Sequence, residues 1–469
     1  MIKATEKENV IDQAFRDSVG TIDQKGKRNY IFPKKPKGLF YNKRTIASIV
    51  YLIIFFSLPL IKVNGEPLIM LNVLKRKFII FGQIFGPQDF FIFALGMITF
   101  IVFIILFTVV FGRVFCGWAC PQTIFMEMVF RKIEYWIDGD FHKQQQLKSM
   151  PWNGFKIRKR ALKIVVFYLI SFLIANYFMA YLISMDEVMR YVHEGIAAHS
   201  GTFSALMIFT SIFFFVYYWF REQVCIVVCP YGRLQGVLLD KNSIVVAYDY
   251  LRGEPRGKKS TADKPVGDCI DCKACVRVCP TGIDIRNGTQ LECINCTACI
   301  DACDEIMDNL DRPKKLIKYA SENNIVKKEK LKITGRIKAY SVVLLLIVSA
   351  LVALLATRDD VDVTILRTQG MVYQNMPGGY IANLYSARMF NKTHEDIKVN
   401  LSIPTKDGHI EIIGAPPVVA KENYAVVVFL IKKKATRITK RNSTILIEVQ
   451  PEGRRSINKK TSFIGPVSF

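Results

Sequence analysis

Cys269-Ile-Asp-Cys272-Lys-Ala-Cys275-Val-Arg-Val-Cys279-Pro280 is followed, after one short interval, by Cys293-Ile-Asn-Cys296-Thr-Ala-Cys299-Ile-Asp-Ala-Cys303. Each run has the C-x2-C-x2-C-x3-C spacing in which three thiolates wrap one iron–sulfur cubane and the fourth reaches toward a second. One [4Fe-4S] cluster is therefore expected on Cys269, Cys272, Cys275 and Cys303, and the other on Cys293, Cys296, Cys299 and Cys279. Structural zinc also takes thiolates but has no need of two interleaved runs. The second run ends in Cys303-Asp304 where simple ferredoxins often have proline, which affects the turn more than the ligands. Pro280-Thr281-Gly282 and Asn287-Gly288 supply reversals around the runs, and residues 252–267 read as a polar linker.

Outward from this core the chain is too apolar for a soluble protein: 51% of its 469 residues are hydrophobic. A membrane-spanning helix needs roughly 20 mostly apolar residues. Five stretches meet or approach that length: Ile46 to Ile61, Phe90 to Phe111, Ile164 to Met185, Thr202 to Phe220 and Ala339 to Ala356. The first 44 residues are charged and lack the apolar core of a cleavable signal peptide.

The net charge of +24 is distributed as a membrane protein's would be, not as a nucleic-acid binder's. Segment 1–44 carries eleven Lys/Arg and segment 112–160 nine, whereas the loop from Asp186 to Gly201 carries Arg190 alone. The expectation is a cytoplasmic N-terminus, with residues 221–338 cytoplasmic and 357–469 outside. Trp118, Trp136, Trp152 and Trp219 fall near one face, as an interfacial belt would. All twelve cysteines lie from Cys116 to Cys303, on the side assigned to the reducing cytoplasm.

The other four cysteines recur at corresponding places after the second and fourth apolar runs, as Cys116-Gly-Trp-Ala-Cys120-Pro121 and Cys225-Ile-Val-Val-Cys229-Pro230. Residues four apart share a helix face, and a following proline disfavours helix at the second cysteine. Each helix is thus predicted to kink or stop at its second sulfur. Arg113 and Arg221-Glu222 read as the points where the apolar runs meet water. Four such thiols suit Cu(I), zinc, another soft metal or a redox-active dithiol. Plain helix packing is the alternative.

Five histidines, His142, His193, His199, His394 and His409, offer no pair on facing membrane helices, so no haem is expected. Met185, Met189 and His193 recur every fourth residue, a helical stripe of soft ligands that suits periplasmic copper or ordinary packing. After the fifth run, Val361 to Leu366, Val399 to Ile403, Ile410 to Ile413, Tyr424 to Ile431 and Thr444 to Val449 are short β-type runs separated by turns, which predicts an antiparallel sandwich of immunoglobulin size.

The fold class expected is a multi-domain membrane protein. It has an N-terminal segment 1–44, four membrane helices with the Cys-x3-Cys-Pro motifs in 45–220, and an inserted two-cluster ferredoxin-like domain 221–338. A fifth helix at 339–356 and an all-β immunoglobulin-like domain 357–469 complete it.

The chain also resembles the CcoG/FixG/RdxA family of accessory proteins for assembly of cbb3-type cytochrome c oxidase. The likeness runs through Lys77-Phe-Ile-Ile-Phe-Gly82, Cys116-Gly-Trp-Ala-Cys-Pro-Gln122, Arg221-Glu-Gln-Val-Cys225, Cys229-Pro-Tyr231 and Arg252-Gly-Glu-Pro-Arg-Gly257. It continues in Cys279-Pro-Thr-Gly-Ile-Asp-Ile-Arg-Asn-Gly288, Glu292-Cys-Ile-Asn-Cys296, Asp301-Ala-Cys-Asp304 and Asn391-Lys-Thr393. The resemblance implies a cupric reductase of the bacterial inner membrane with a periplasmic immunoglobulin-like tail. Electrons from a cytoplasmic donor would cross two [4Fe-4S] clusters and reduce Cu(II) to Cu(I), with Cys116, Cys120, Cys225 and Cys229 as the hypothesised copper site. The implied partners are oxidase assembly factors or copper chaperones and membrane lipid, not nucleic acid. Two other readings stand beside it: a membrane polyferredoxin serving a quinone, flavin or partner reductase, and a non-enzymatic copper chaperone or assembly scaffold.

Overall fold

The computed structural model describes residues 28–466 apart from 75–76, 87–88, 258–265, 330–332, 369, 371, 405–407 and 439. Most of segment 1–44 and the middle of 252–267 therefore lie outside the described residues. Five helices among those described are long and apolar enough to cross a membrane: Leu39–Ser57, Phe90–Phe111, Gly154–Ile183, Ser200–Phe220 and Gly335–Ala356. The second and fifth are apolar all round. Phe91, Phe100, Ile101 and Phe103 on one, and Val342, Leu345, Leu346 and Val352 on the other, are exposed, a surface that suits lipid and not water.

The helix limits differ from the apolar runs for local reasons. The first helix begins at Leu39, inside the segment read as a polar arm, and stops at Ser57, before Pro59. The third starts at Gly154, not near Ile164, because the basic stretch Lys156 to Lys163 contains no helix breaker.

Two compact units are formed. The first comprises Met1–Ser57, Ile98–Ala180 and Met185–Ile347. Within it Phe167 and Ile174 of the third membrane helix pack on Phe125, Met126, Phe130 and Tyr217. Below this core lies a buried ionic hub. Glu134 accepts hydrogen bonds from Nη1 and Nη2 of Arg221 at 2.9 and 2.8 Å and from Lys163 Nζ at 2.5 Å, and Lys163 also reaches Asp138 at 2.9 Å. Burial opposes the charge on Glu134, but the Arg221 and Lys163 cations outweigh it and hold the carboxyl well below the usual range. Arg221 and Glu222 were read in the sequence as marks of the water's edge. They are instead 1% and 7% exposed, because the hub and Arg28, 2.9 Å from Glu222, supply their counter-charges.

The second unit comprises Leu58–Met97, Tyr181–Ser184 and Val348–Phe469. Its sandwich has one sheet in the order His409–Ile413, Tyr424–Lys434, Tyr380–Asn391, Val361–Arg367, with Gln374–Met376 also paired to Tyr380–Asn391. The other sheet runs Val418–Val419, Ile397–Ser402, Asn442–Pro451, Ile457–Ile464. All pairs are antiparallel. Alternate residues such as Val363, Tyr385, Phe429, Ile447 and Phe463 fill the core. Asn383 stitches the two sheets together by exchanging hydrogen bonds with the Ile464 backbone, both at 2.8 Å.

The loop after the first membrane helix belongs to this unit as a three-stranded sheet, Ile69–Asn72, Lys77–Ile80 and Gln83–Phe85. Met70, Ile79 and Ile84 pack on Phe390 of the sandwich. At its end Asp89 is clamped by Arg358 at 2.7 Å and Lys392 at 2.8 Å. Burial raises the Asp89 pKa, but the hydrogen bonds from Arg358 and Lys392 prevail and lower it overall. The folded carboxyl being the stronger acid, its contribution is complete above the ordinary carboxylate pKa and fades as pH falls through the folded value. Asp89→Asn is expected to cost the unit about 3 kcal/mol. Limited proteolysis of the full-length protein should show faster cleavage around the 58–89 loop at pH 7, and a difference that shrinks in acid.

Candidate functional site

Both cysteine runs fold by the same local device. Asp271 and Lys273 in the first, and Asn295 and Thr297 in the second, have positive φ between 52° and 67°. These left-handed residues, at equivalent places between cysteines, curl the chain so that short helices follow at Ala274–Arg277 and Ala298–Asp308. Strand Val245–Tyr248 pairs antiparallel with Ile317–Ala320 and closes the domain before and after the runs.

The curled chain encloses two cavities. One is lined by Cys269, Cys272, Cys275 and Cys303. The other is lined by Cys279, Cys293, Cys296 and Cys299, with Cys275 on the wall that both share. Each cavity thus draws cysteines from both runs, with Cys303 of the second run in the first cavity and Cys279 of the first run in the second. No three His, Cys, Asp or Glu side chains among the described residues converge on a point, as ligands of a single ion would. Sulfurs spread around a cavity fit a cubane, whose four irons each take one thiolate. Burial pushes the thiols of Cys275, Cys293 and Cys303 up to about 12; iron must displace those protons on binding.

The membrane anchor grips this domain. Asp301 accepts hydrogen bonds from the backbone N–H of Phe40 and Tyr41 at 3.1 and 2.8 Å, capping the first membrane helix from within the second cysteine run. Arg252, read as part of a linker, is a clasp: its Nε donates to Asp268 at 2.5 Å, its Nη1 to the Lys314 carbonyl at 2.9 Å and its Nη2 to the Pro313 carbonyl.

In both Cys-x3-Cys-Pro motifs the helix stops before the second cysteine, at Trp118 in one and at Val228 in the other. Cys116 lies in helix Val114–Trp118 and Cys225 in the π-helical segment Val224–Val228. Cys120 and Cys229 are extended, with ψ 126° and 111°, and new helices start at Pro121 and Pro230. The four thiols lie near enough that Cys120 and Cys229 act electrostatically on Cys116, and all three act on Cys225, though no three of them converge on one point. Burial, with that mutual repulsion, pushes Cys116 up to about 11 and Cys225 up to about 12.

This centre lies against the second cluster cavity. A Cβ on Gly117 would stand 2.4 Å from the Ile294 carbonyl, so only glycine permits the approach. Trp118 Nε1 donates to Tyr319 Oη at 3.2 Å, and Tyr319 Oη donates to the Asn295 carbonyl at 3.3 Å. Arg113, read in the sequence as a boundary residue, is 6% exposed. It is drawn inward by the carbonyls of Cys293, at 3.3 Å, and Gly232 and by the side chain of Gln235, whose amide in turn donates to Cys116 Sγ at 3.3 Å. Arg113 and Gln235 were invisible as site residues in the sequence, since neither is a metal ligand. The Met185, Met189 and His193 stripe lies on helix Met185–Glu194 with Met189 and His193 exposed.

The interleaving can be read by iron content. Cys269→Ser/Cys303→Ser should retain about four irons per chain and Cys293→Ser/Cys303→Ser about none; pairing within each run would reverse the two results.

A 4Fe-4S dicluster domain model matches residues 220–322, and a model for the IG-like fold at the C-terminus of FixG matches 351–466. A 4Fe-4S binding domain model matches 93–144, where the cysteines are Cys116 and Cys120. Protein RdxA of Cereibacter sphaeroides is 34% identical over 81% of this chain and 83% of its own length. Protein RdxB of the same organism is 31% identical over 94% of this chain and 97% of its own. Nitrogen fixation protein FixG of Rhizobium meliloti is 35% identical over 63% of this chain and 58% of its own. With its clusters' ligand framework, five apolar helices and immunoglobulin-like tail, the chain belongs to the FixG/RdxA family of membrane iron–sulfur electron-transfer proteins.

Proposed function

We propose that the chain is a cupric reductase of the bacterial inner membrane that supplies Cu(I) for copper-centre assembly in a cbb3-type oxidase, through that enzyme's assembly factors or copper chaperones. The observation that carries this reading is the contact of the four-thiol centre with the Cys293–Asn295 loop of the second cluster cavity. When bound, the two clusters supply one-electron storage. Cys116, Cys120, Cys225 and Cys229 would supply the sulfurs, drawing together on the ion from positions where no three of them meet at one point; Gln235 fixes the Cys116 sulfur, and soft thiolates favour Cu(I) over Cu(II). A cytoplasmic one-electron donor supplies the electron that turns Cu(II) into Cu(I). The Lys/Arg excess of segments 1–44 and 112–160 supports a cytoplasmic N-terminus and cluster domain, with the immunoglobulin-like domain in the periplasm.

Replacing Cys116, Cys120, Cys225 and Cys229 by serine is expected to abolish rapid Cu(II) reduction in stopped flow while leaving about eight irons per chain. A wild-type rate in that variant rejects the copper site. One observation favours a second reading, a polyferredoxin that passes electrons to a quinone, flavin or reductase: the match of 93–144 to a 4Fe-4S binding model. That reading instead predicts loss of iron when the four cysteines are removed.

A further inference from the structure

The two cluster cavities lie in unlike electrostatic surroundings. Around the Cys269, Cys272, Cys275 and Cys303 cavity the buried cation is Arg286, and it is neutralised. Its Nη1 lies 2.5 Å from Asp271 and its Nη2 2.6 Å from Asp284. Asp304 adds negative charge beside Cys303, while Lys273, which also lines the cavity, stands in solvent.

The Cys279, Cys293, Cys296 and Cys299 cavity faces the opposite sign. Arg113 bonds the Cys293 carbonyl, and Arg44 acts on Cys296. They are 6% and 3% exposed, and neither has a carboxylate within ion-pair distance among the described residues. Arg44 gives Nε to the Gly117 carbonyl at 2.7 Å, and its Nη2 has no partner among them. The carboxylate that acts on Cys296, Glu127, is itself held by Arg131 at 2.9 Å. A buried guanidinium without a counter-ion is costly. The missing negative charge is the one that four thiolates around a cubane would bring, and an uncompensated cation beside such a group favours its more negative, reduced state.

We propose that Arg44 and Arg113 make the cluster on Cys279, Cys293, Cys296 and Cys299 the higher-potential one of the two. Electrons entering at the other cluster then run toward the four-cysteine centre, which Arg113 touches through Gly232 and Gln235. The inference rests on both clusters being loaded and on the direction of flow set out above; it does not need copper as the acceptor, and its test contains none. A failure of copper reduction is therefore distinguishable from a failure here.

Potentiometric titration of the anaerobically purified full-length protein, followed by EPR, resolves the two midpoints. Cys272→Ser, which removes a ligand of the first set, should leave the upper midpoint; survival of the lower one overturns the proposal without any arginine variant. Arg44→Gln and Arg113→Gln should each move the upper midpoint down and leave the lower one in place. Arg44→Lys and Arg113→Lys, which keep the charge, should restore most of the shift. Glutamine variants that load iron fully yet move neither midpoint, or move both alike, also overturn it.

Discussion

Each cluster cavity is lined by cysteines of both runs, and the rest of the first unit is arranged around that crossing. Cys303 must reach back to Cys269, Cys272 and Cys275, while Cys279 reaches forward to Cys293, Cys296 and Cys299. Neither cavity closes unless both runs are folded. The left-handed residues within the runs make the short curls, and the strand pair Val245–Tyr248 with Ile317–Ala320 holds their outer ends. Asp301, in the helix that carries Cys303, caps the first membrane helix, so the crossing also fastens the cluster domain to its anchor.

The same economy places the four-cysteine centre. Pro121 and Pro230 leave Cys120 and Cys229 extended between two helices, and glycine at position 117 lets the first turn press on the Ile294 carbonyl. The centre and the second cavity then share Arg113 as a common neighbour. Raised thiol pKa values on both sides of that arginine come first from burial, so the negative charge that would offset it arrives only as metal replaces protons.

Features carried by covalent spacing or uninterrupted composition were legible in the sequence. The eight-cysteine pattern, the five apolar runs, the prolines after paired cysteines and five strands of the sandwich depend on nearest neighbours in the chain. Features that depend on distant partners were not. Arg113, Arg221 and Glu222 look like ordinary boundary charges until Gln235, Glu134 and Arg28 arrive from remote segments. Tyr380–Asn391 was missed because Asn383, Ser386 and Arg388 interrupt its apolar character, yet Asn383 is the residue that bridges the two sheets. Ile457–Ile464 was missed because Asn458, Lys459 and Lys460 make it read as a polar turn. The three strands after the first membrane helix became visible only through their packing on Phe390.

We propose that an electron held between these cysteines leaves the protein onto copper. Rapid-freeze EPR of the reduced, oxygen-free protein mixed with two equivalents of Cu(II), one for each reduced cluster, reads that transfer. The cubane signal and the Cu(II) signal should disappear together, with the same time course and in equal amounts. A Cu(II) signal that persists beside fully reduced clusters would contradict it.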